Sequence, residues 1–190
     1  MVRKPRKRIS GLELQRFIYL ISPNIIKKNF YKSFEKVLLF GNVKYFQLRL
    51  KKNNKANIIK IGNKVRQITK KYNVKLIIND DFNSCLKIKA DGCHMGQLDG
   101  SIMIARKKLK REILGLTCHN SITLAKKAVK QNVDYIAFGS FFKSRLKPKA
   151  KKASYDVLKK AKKIIKKPIV VIGGINNKNY KKLLNYGANY

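Results

Sequence analysis

The chain has 190 residues and a formal net charge of +37, from 46 lysines and arginines against nine aspartates and glutamates. A hydrophobic share of 44% argues against disorder, and no apolar run approaches the roughly 18 to 20 residues that would span a bilayer. The length fits one domain with a sizeable core. We place that domain at residues 13–190, after a basic and flexible lead-in over residues 1–12.

The amino terminus and the cysteines indicate the compartment. No apolar stretch before a small-residue cleavage site follows the basic amino terminus, so we expect no secretory signal. The three cysteines, Cys85, Cys93 and Cys118, are odd in number and contain no close pair, so they do not form a disulfide framework. We therefore expect a cytoplasmic protein with no membrane partner. A homo-oligomer remains open.

The charge raises the question of nucleic-acid binding. The basic residues are mostly lysines, and they are spread over almost the whole length together with many isoleucines and asparagines. An AT-rich coding sequence would give this composition whatever the function. We therefore expect no specific nucleic-acid partner, and a basic nucleic-acid-binding protein is the weaker alternative.

Short apolar runs alternate with longer amphipathic segments along the chain. Runs rich in Ile, Val, Phe and Tyr predict seven strands, at residues 17–22, 45–50, 74–79, 92–95, 113–117, 135–139 and 169–173. Apolar residues at helical spacing predict helices at residues 30–40, 57–71, 102–109, 121–131, 154–165 and 178–186.

This alternation predicts an α/β protein with a parallel sheet. Ile21-Ser22-Pro23-Asn24 is not a glycine-rich dinucleotide fingerprint, so we favour a closed (β/α)8 TIM barrel over an open doubly wound sheet. The predicted barrel lacks its eighth strand-helix unit, because the sequence stops at Gly187-Ala188-Asn189-Tyr190, where an eighth strand would begin.

Basic side chains alternate at the end of the second predicted strand. Gln47, Arg49 and Lys51 share one side of that strand, whereas Leu48 and Leu50 share the other. Active sites of parallel barrels lie at the carboxyl ends of the strands. An Arg and a Lys directed into one cleft indicate a phosphate clamp. The alternative is an edge strand with a solvated face.

Four of the nine acidic residues fall between positions 80 and 99. Asp80 follows the third predicted strand and Asp99 follows the fourth, so the two carboxylates should lie near each other. Two carboxylates, with water and substrate phosphates, are a usual way to hold Mg²⁺. The alternative for Asp99 is an N-cap of the next helix, and for Asp81 we prefer that role.

A zinc site is not expected. Cys93 and His94 are neighbours on a strand and point to opposite faces, so they cannot readily share a metal. No CxxC motif is present. We expect His94 and His119 to be packed or hydrogen-bonded groups rather than catalytic bases.

Two later loops carry site features. The long basic segment 138–148 is typical of an active-site cover, with a flexible basic loop as the alternative. The Gly173-Gly174 pair ends the seventh predicted strand, and there backbone N–H groups could meet a phosphate at a helix N-terminus.

Seven short motifs occur in a fixed order from about residue 17 to the end of the chain. They are Tyr19-Leu20-Ile21, Gln47-Leu48-Arg49-Leu50-Lys51, Ile77-Ile78-Asn79-Asp80, Asp91-Gly92-Cys93-His94-Met95-Gly96-Gln97-Leu98-Asp99, Gly115-Leu116-Thr117-Cys118-His119-Asn120, Asp134-Tyr135-Ile136-Ala137-Phe138-Gly139 and Ile172-Gly173-Gly174-Ile175. In their order and spacing these motifs resemble the thiamine-phosphate synthase family.

The resemblance implies a Mg²⁺-dependent transferase on a (β/α)8 barrel. It would join 4-amino-2-methyl-5-hydroxymethylpyrimidine diphosphate to 4-methyl-5-hydroxyethylthiazole phosphate, giving thiamine phosphate and diphosphate. The C–O bond to the diphosphate would break first, and the thiazole nitrogen would capture the pyrimidine-methyl cation. No side-chain general base is implied.

The resemblance also implies the roles of individual residues. It puts Mg²⁺ on Asp80 and Asp99. It assigns the pyrimidine to Gln47, and a hydroxyl near the reacting diphosphate to Thr117, where the family usually has Ser. Gly174 would give its N–H to the thiazole phosphate. The groups that hold the diphosphate would be Arg49, Lys51, Asn79 and Lys147, and the catalytic set would be Arg49, Lys51, Thr117 and Lys147.

The loop after the sixth strand departs from the family pattern Gly-Pro-x-x-Pro-Thr-x-Thr-Lys. Ser144 stands for the first Thr and is expected to bind substrate, whereas Leu146 replaces the second Thr and loses a hydroxyl. This change affects the expected thiazole contacts more than the diphosphate contacts. The nearest alternative is a thiazole tautomerase-like relative on the same fold, which typically lacks the Gln-x-Arg-x-Lys clamp.

Overall fold

The computed structural model describes residues 17–143 and 152–190. The predicted lead-in, residues 1–12, lies outside the described residues. So does most of the basic loop after the sixth strand, with Ser144, Leu146 and Lys147.

Seven parallel strands form one sheet in which each strand pairs with its neighbours in the chain. They are β1 (Ile18–Ile21), β2 (Val43–Leu48), β3 (Lys75–Asn79), β4 (Gly92–Met95), β5 (Ile113–His119), β6 (Tyr135–Phe138) and β7 (Ile169–Val171). All seven predicted strands are present, with ends shifted by up to two residues. The sheet curves into a nearly closed barrel with the helices outside.

Seven helices follow the strands in turn. They are α1 (Phe30–Phe40), α2 (Lys55–Lys71), α3 (Phe82–Ile88), α4 (Ile102–Leu109), α5 (Ile122–Lys130), α6 (Tyr155–Ile164) and α7 (Tyr180–Asn185). Six of them were predicted. The seven-residue α3 was not, because two turns are too short to show a helical period. Within the described ranges, no helix has the length and apolar character needed to cross a membrane.

Local chemistry explains where the helices begin. Ser101, Ser121 and Ser154 each accept the backbone N–H three residues ahead, which is the usual N-cap bond of α4, α5 and α6. Asp81 caps α3 by accepting the N–H groups of Asn83 and Ser84, as preferred from the sequence. These caps fix the first turn of each helix behind its strand.

The strands separate two packed layers. Side chains on their outer face, such as Leu48 and Cys93, join the large apolar cluster under the helices. Side chains on their inner face, such as Gln47 and Tyr135, fill the barrel. Alternation along each strand produces this division, and it places Cys93 and His94 on opposite faces as predicted.

The seam between β7 and β1 is bridged by the end of the chain. No eighth strand follows α7 within the described residues, but Asn189 donates its N–H to Ile169 and accepts from the N–H of Phe17. The carbonyl of Tyr190 accepts from the N–H of Val171 at 2.9 Å. The last two residues therefore lie where an eighth strand of a barrel would begin, as predicted.

Candidate active site

The carboxyl ends of β2 to β5 bring most of the predicted site residues to one mouth of the barrel. Arg49 and Lys51 follow β2, whereas Asn79 is the last residue of β3 and Asp80 comes next. Thr117 lies near the end of β5. Because these strands are neighbours in the sheet, residues far apart in sequence become adjacent.

Asp80 sits at the centre of this mouth. It adopts the left-handed conformation, with φ +66°, and its N–H donates to the carbonyl of His94 at 2.7 Å. Aspartate tolerates this conformation better than most residues, but it still carries strain, which is common at functional sites. Lys51 Nζ lies 3.2 Å from Asp80 Oδ2. The turn after β3 thus directs the Asp80 carboxylate towards Lys51, which follows the neighbouring strand β2.

Asp80 and Asp99 are in hydrogen-bonding contact. Burial and the neighbouring Asp99 carboxyl raise the pKa of Asp80 above its usual range. Burial acts against ionisation of Asp99 as well, yet the hydrogen bonds from Asp80 and from the Gly96 N–H lower its pKa overall. The pair therefore divides into one carboxyl that holds a proton more readily and one that ionises more readily.

The loop after β4 positions Asp99 for this contact. Asp99 Oδ2 accepts the N–H of Gly96 at 2.6 Å, and a Cβ on Gly96 would lie only 2.8 Å from the same oxygen. A side chain at this position would therefore push the Asp99 carboxylate away from the Gly96 N–H. The alternative role of Asp99 as an N-cap does not hold, because Ser101 caps α4.

The donor set suits a hard cation. Across residues 17–143 and 152–190, no three His, Cys, Asp or Glu side chains gather around one point. Mg²⁺ is usually bound through one or two carboxylates, with water and substrate phosphates completing its shell, so Asp80 and Asp99 fit it. A structural zinc site would need four nitrogen or sulfur ligands.

Arg49 is held by the loop after β1. Its Nη1 donates to Asn24 Oδ1 at 2.9 Å, and its backbone N–H donates to Ser22 Oγ at 2.9 Å. The residue is half-buried, and this anchor holds the guanidinium against the loop after β1. Neither Asn24 nor Ser22 was predicted to belong to the site. Their position just beyond β1, at the carboxyl edge, was the available signal.

A chain of hydrogen bonds crosses the barrel interior from Gln47 to Thr117. Gln47 Nε2 donates to Tyr19 Oη at 3.0 Å, and the Tyr19 and Tyr135 hydroxyls are 2.7 Å apart. His94 Nδ1 lies 2.8 Å from Tyr135 Oη, and His94 Nε2 lies 2.8 Å from Thr117 Oγ1. The prediction that His94 is a hydrogen-bonded group is confirmed, whereas the roles of Tyr19 and Tyr135 were not predicted.

Burial keeps the phenols and thiols neutral. It raises the pKa of Tyr19 and Tyr135 far above the usual value, and it raises that of Tyr45 to about 12. The three cysteines are free and buried, and burial raises the pKa of Cys85 and Cys118 to about 12. None of these thiols is an activated nucleophile.

Close packing constrains the turn at Gly173-Gly174. Both glycines have positive φ, and a Cβ on Gly174 would lie 2.5 Å from the carbonyl oxygen of Lys143. Asn179 Nδ2 donates to the Gly174 carbonyl at 3.0 Å. The pair lies in the turn between β7 and α7, which begins at Tyr180, and binding of a phosphate by its backbone N–H groups stays a prediction.

Not every acid in the 80–99 stretch belongs to the mouth. Asp91 lies before β4, where Oδ2 accepts the N–H of Leu76 at 2.9 Å and Oδ1 contacts Lys75 Nζ at 2.7 Å. This carboxylate ties together the amino ends of β3 and β4. Of the four acids, the structure brings only Asp80 and Asp99 together at the mouth.

Comparisons with known proteins agree with this geometry. The family model described as thiamine monophosphate synthase matches residues 18–190. The chain is 50% identical over 177 residues to the thiamine-phosphate synthase of Pelagibacter ubique, covering 93% of this chain and 86% of that protein. It is 41% identical over 151 residues to the thiamine-phosphate synthase of Saccharophagus degradans, covering 79% and 70%.

Solved structures give the same result. A thiamine phosphate pyrophosphorylase from Pyrococcus furiosus has a TM-score of 0.82 at 28% identity, covering 94% of this chain and 85% of that one. An N-acetylmannosamine-6-phosphate 2-epimerase from Clostridium perfringens shares the fold alone, with a TM-score of 0.62 at 13% identity, covering 98% and 90%. The predicted TIM-barrel fold, with seven of its eight units, is confirmed. The chain belongs to the thiamine monophosphate synthase family.

Proposed function

We propose that this chain is a thiamine-phosphate synthase, a transferase that joins the pyrimidine diphosphate to the thiazole phosphate and releases diphosphate. The single observation that carries the proposal is the meeting of Lys51, Asp80 and Asp99 at the carboxyl mouth of the barrel. A cation and two carboxylates there match a diphosphate bound with Mg²⁺. Membership of the family supplies the reaction.

The reaction breaks one bond and forms another. The C–O bond between the pyrimidine methylene and the diphosphate breaks, and its electron pair leaves with the diphosphate. The lone pair of the thiazole nitrogen then forms the new C–N bond. Negative charge develops on the leaving oxygen, so fixed cations at that point lower the barrier.

Arg49 and Lys51 would hold this charge. Arg49 offers a planar fork that its contact with Asn24 orients, and Lys51 offers a point charge beside Asp80. The amide of Asn79 and the hydroxyl of Thr117 would complete the diphosphate contacts. Lys147 and Ser144 keep their predicted roles in diphosphate and substrate binding, and they lie outside the described residues.

Asp80 and Asp99 would hold Mg²⁺. When bound, the ion neutralises charge on the diphosphate and so makes it a better leaving group. The hydrogen bond from the Gly96 N–H holds Asp99 in place for this role. Its low pKa favours the ionised form that a cation needs.

Gln47 would orient the pyrimidine. Its side chain is 3% exposed and fixed by Tyr19, so it presents a set geometry to a planar ring. The N–H of Gly174 would bind the thiazole phosphate. We further propose a cytoplasmic location, which suits three free thiols, and small-molecule substrates as partners, with a homo-oligomer still possible.

A diphosphate-release assay tests the proposal. The purified chain is mixed with Mg²⁺ and both substrates, with either substrate alone, or with both substrates and a chelator. We expect catalytic diphosphate release in the first mixture and at least about 100-fold slower release in the others, since removal of major charge stabilisation costs that much. Equal rates in all mixtures would contradict the proposal.

A further inference from the structure

The chain of hydrogen bonds inside the barrel has a direction. Its first group, Gln47 Nε2, can only donate, and it donates to Tyr19 Oη at 3.0 Å. Tyr19 Oη therefore accepts from Gln47 and turns its own hydrogen towards the Tyr135 hydroxyl, 2.7 Å away. A single amide thus begins an ordered series of donors and acceptors.

The order continues through the histidine. Tyr135 Oη accepts from Tyr19, so its hydrogen points to His94 Nδ1 at 2.8 Å, and Nδ1 must be the unprotonated nitrogen. The ring hydrogen then lies on Nε2, which donates to Thr117 Oγ1 at 2.8 Å. Thr117 accepts this bond, so its own hydroxyl hydrogen remains for a group that is not part of the hydrogen-bond series, such as substrate.

We infer that Tyr135 is a positioning residue that, through Tyr19 and His94, fixes the hydrogen-bond polarity of both substrate-facing ends of this chain. At one end, Thr117 is left as a donor, which suits an anionic diphosphate oxygen. At the other end, one hydrogen of Gln47 Nε2 is bound to Tyr19, which fixes the orientation of the amide and presents Oε1 as the acceptor for substrate, and an acceptor suits an amino group on the pyrimidine. This inference rests on the proposed function for the identity of the two ligands.

If the hydrogen bonds ran in the opposite direction, neither Thr117 nor Gln47 would match its proposed substrate group. If Gln47 presented Oε1 to Tyr19, each hydroxyl would turn round and His94 would carry its hydrogen on Nδ1. Thr117 would then donate to His94 Nε2 and could only accept from substrate, which an unprotonated phosphate oxygen does not offer. The tautomer of His94 therefore reports the direction of the whole chain.

The tautomer can be measured without any activity. The full chain is labelled with ¹⁵N-histidine, and its two histidines are distinguished with a His119→Gln variant. At neutral pH we expect His94 to show an unprotonated Nδ1 and a protonated Nε2. If His94 carries a hydrogen on Nδ1, with or without one on Nε2, the inference is overturned, even if the protein makes thiamine phosphate.

Two matched variants test the positioning role. Tyr135→Phe removes the central hydroxyl of the hydrogen-bond series. Tyr45→Phe removes a hydroxyl from a ring that packs beside Tyr19 and Tyr135 but does not belong to that series. We expect Tyr135→Phe to shift the His94 tautomer and to lower kcat about 10-fold, with KM for the thiazole phosphate unchanged. We expect Tyr45→Phe to keep the tautomer and kcat of the natural chain.

Results from the two measurements separate the two proposals. An unchanged His94 tautomer in folded Tyr135→Phe would overturn the positioning role. If Tyr135→Phe fails to fold, the tautomer of the natural chain still decides the direction. A chain with the expected tautomer that forms no thiamine phosphate would support the direction and contradict the proposed function.

Discussion

Asp80 and Asp99, which follow the neighbouring strands β3 and β4, form a hydrogen-bonded carboxyl pair at the mouth of the barrel. Lys51, from the end of β2, lies against Asp80. The two acids are 19 positions apart in sequence, and parallel pairing of adjacent strands brings them together. This pair supplies both proposed metal ligands, and it should give the site a measurable dependence on pH.

Replacing one carboxylate of the pair should abolish catalysis and spare the fold. We expect Asp80→Asn to lower the rate of Mg²⁺-dependent diphosphate release by at least about 100-fold, since it removes a charged metal ligand. Asn tolerates the left-handed backbone at this position. The control is Asp81→Asn, which keeps the cap of α3 and should change the rate less than about 2-fold. Equal rates for the two variants would contradict the metal assignment.

The same substitution should stabilise the metal-free chain at neutral pH. The pKa of Asp80 is raised in the folded protein, so the folded state holds this proton more tightly than the unfolded state does. The contribution of the protonated carboxyl to stability is therefore fully present below the unfolded pKa of about 3.9, and it is lost as the pH rises through the folded pKa. In a chelator, we expect Asp80→Asn to melt above the natural chain at pH 7, by a few degrees for about 1 kcal/mol. The two melting temperatures should converge at about pH 4. A constant difference from pH 4 to 7 would show that Asp80 does not titrate in this way.

The clamp should act on one substrate. We expect Arg49→Ala to weaken binding of the pyrimidine diphosphate by about 10-fold to 100-fold, because charge-assisted bonds contribute about 1.5–3 kcal/mol each. Binding of the thiazole phosphate should change far less. Lys52→Ala removes an exposed lysine nearby and should alter neither. Calorimetric titration with each ligand measures both effects, and equal losses for the two ligands would argue against the clamp.

Asp91 should matter for stability and not for chemistry. Its carboxylate accepts the N–H of Leu76, a residue with no exposed side chain, so Asp91→Ala leaves a buried donor unsatisfied. We expect a loss of about 1–3 kcal/mol in the free energy of unfolding by denaturant, with KM and kcat retained. Lys75→Ala breaks only the exposed ion pair of Asp91 and should cost less than about 1 kcal/mol. An unchanged stability in Asp91→Ala would show that this bond is replaced by water.

Much of the fold could be predicted because its signals are local. Apolar runs such as Tyr135–Phe138 and amphipathic segments such as Tyr155–Ile164 identify themselves within one window of sequence. Alternation along β2 separated Gln47 from Leu48 correctly. The short helix α3 gave no such signal, since seven residues hold less than two full helical periods.

The site was predicted only where a single strand end carries its chemistry. Asp80 and Asp99 each follow a strand, and the order of those strands implied that the two carboxylates lie close together. The interior chain was not predicted, because the bond between Tyr19 and Tyr135 joins residues 116 positions apart and depends on barrel closure. Each tyrosine alone is an ordinary strand residue. The contact of Asn24 with Arg49 depends likewise on a loop conformation, which the hydrophobic periodicity of the sequence does not predict.

The most direct measurement counts both products of the proposed reaction in the same quenched samples. The chain is incubated with Mg²⁺ and both substrates, and thiamine phosphate and diphosphate are quantified over time. We expect the two products to appear in equal amounts and at the same rate. Diphosphate without thiamine phosphate, or neither product, would contradict the conclusion that this mouth joins the two substrates.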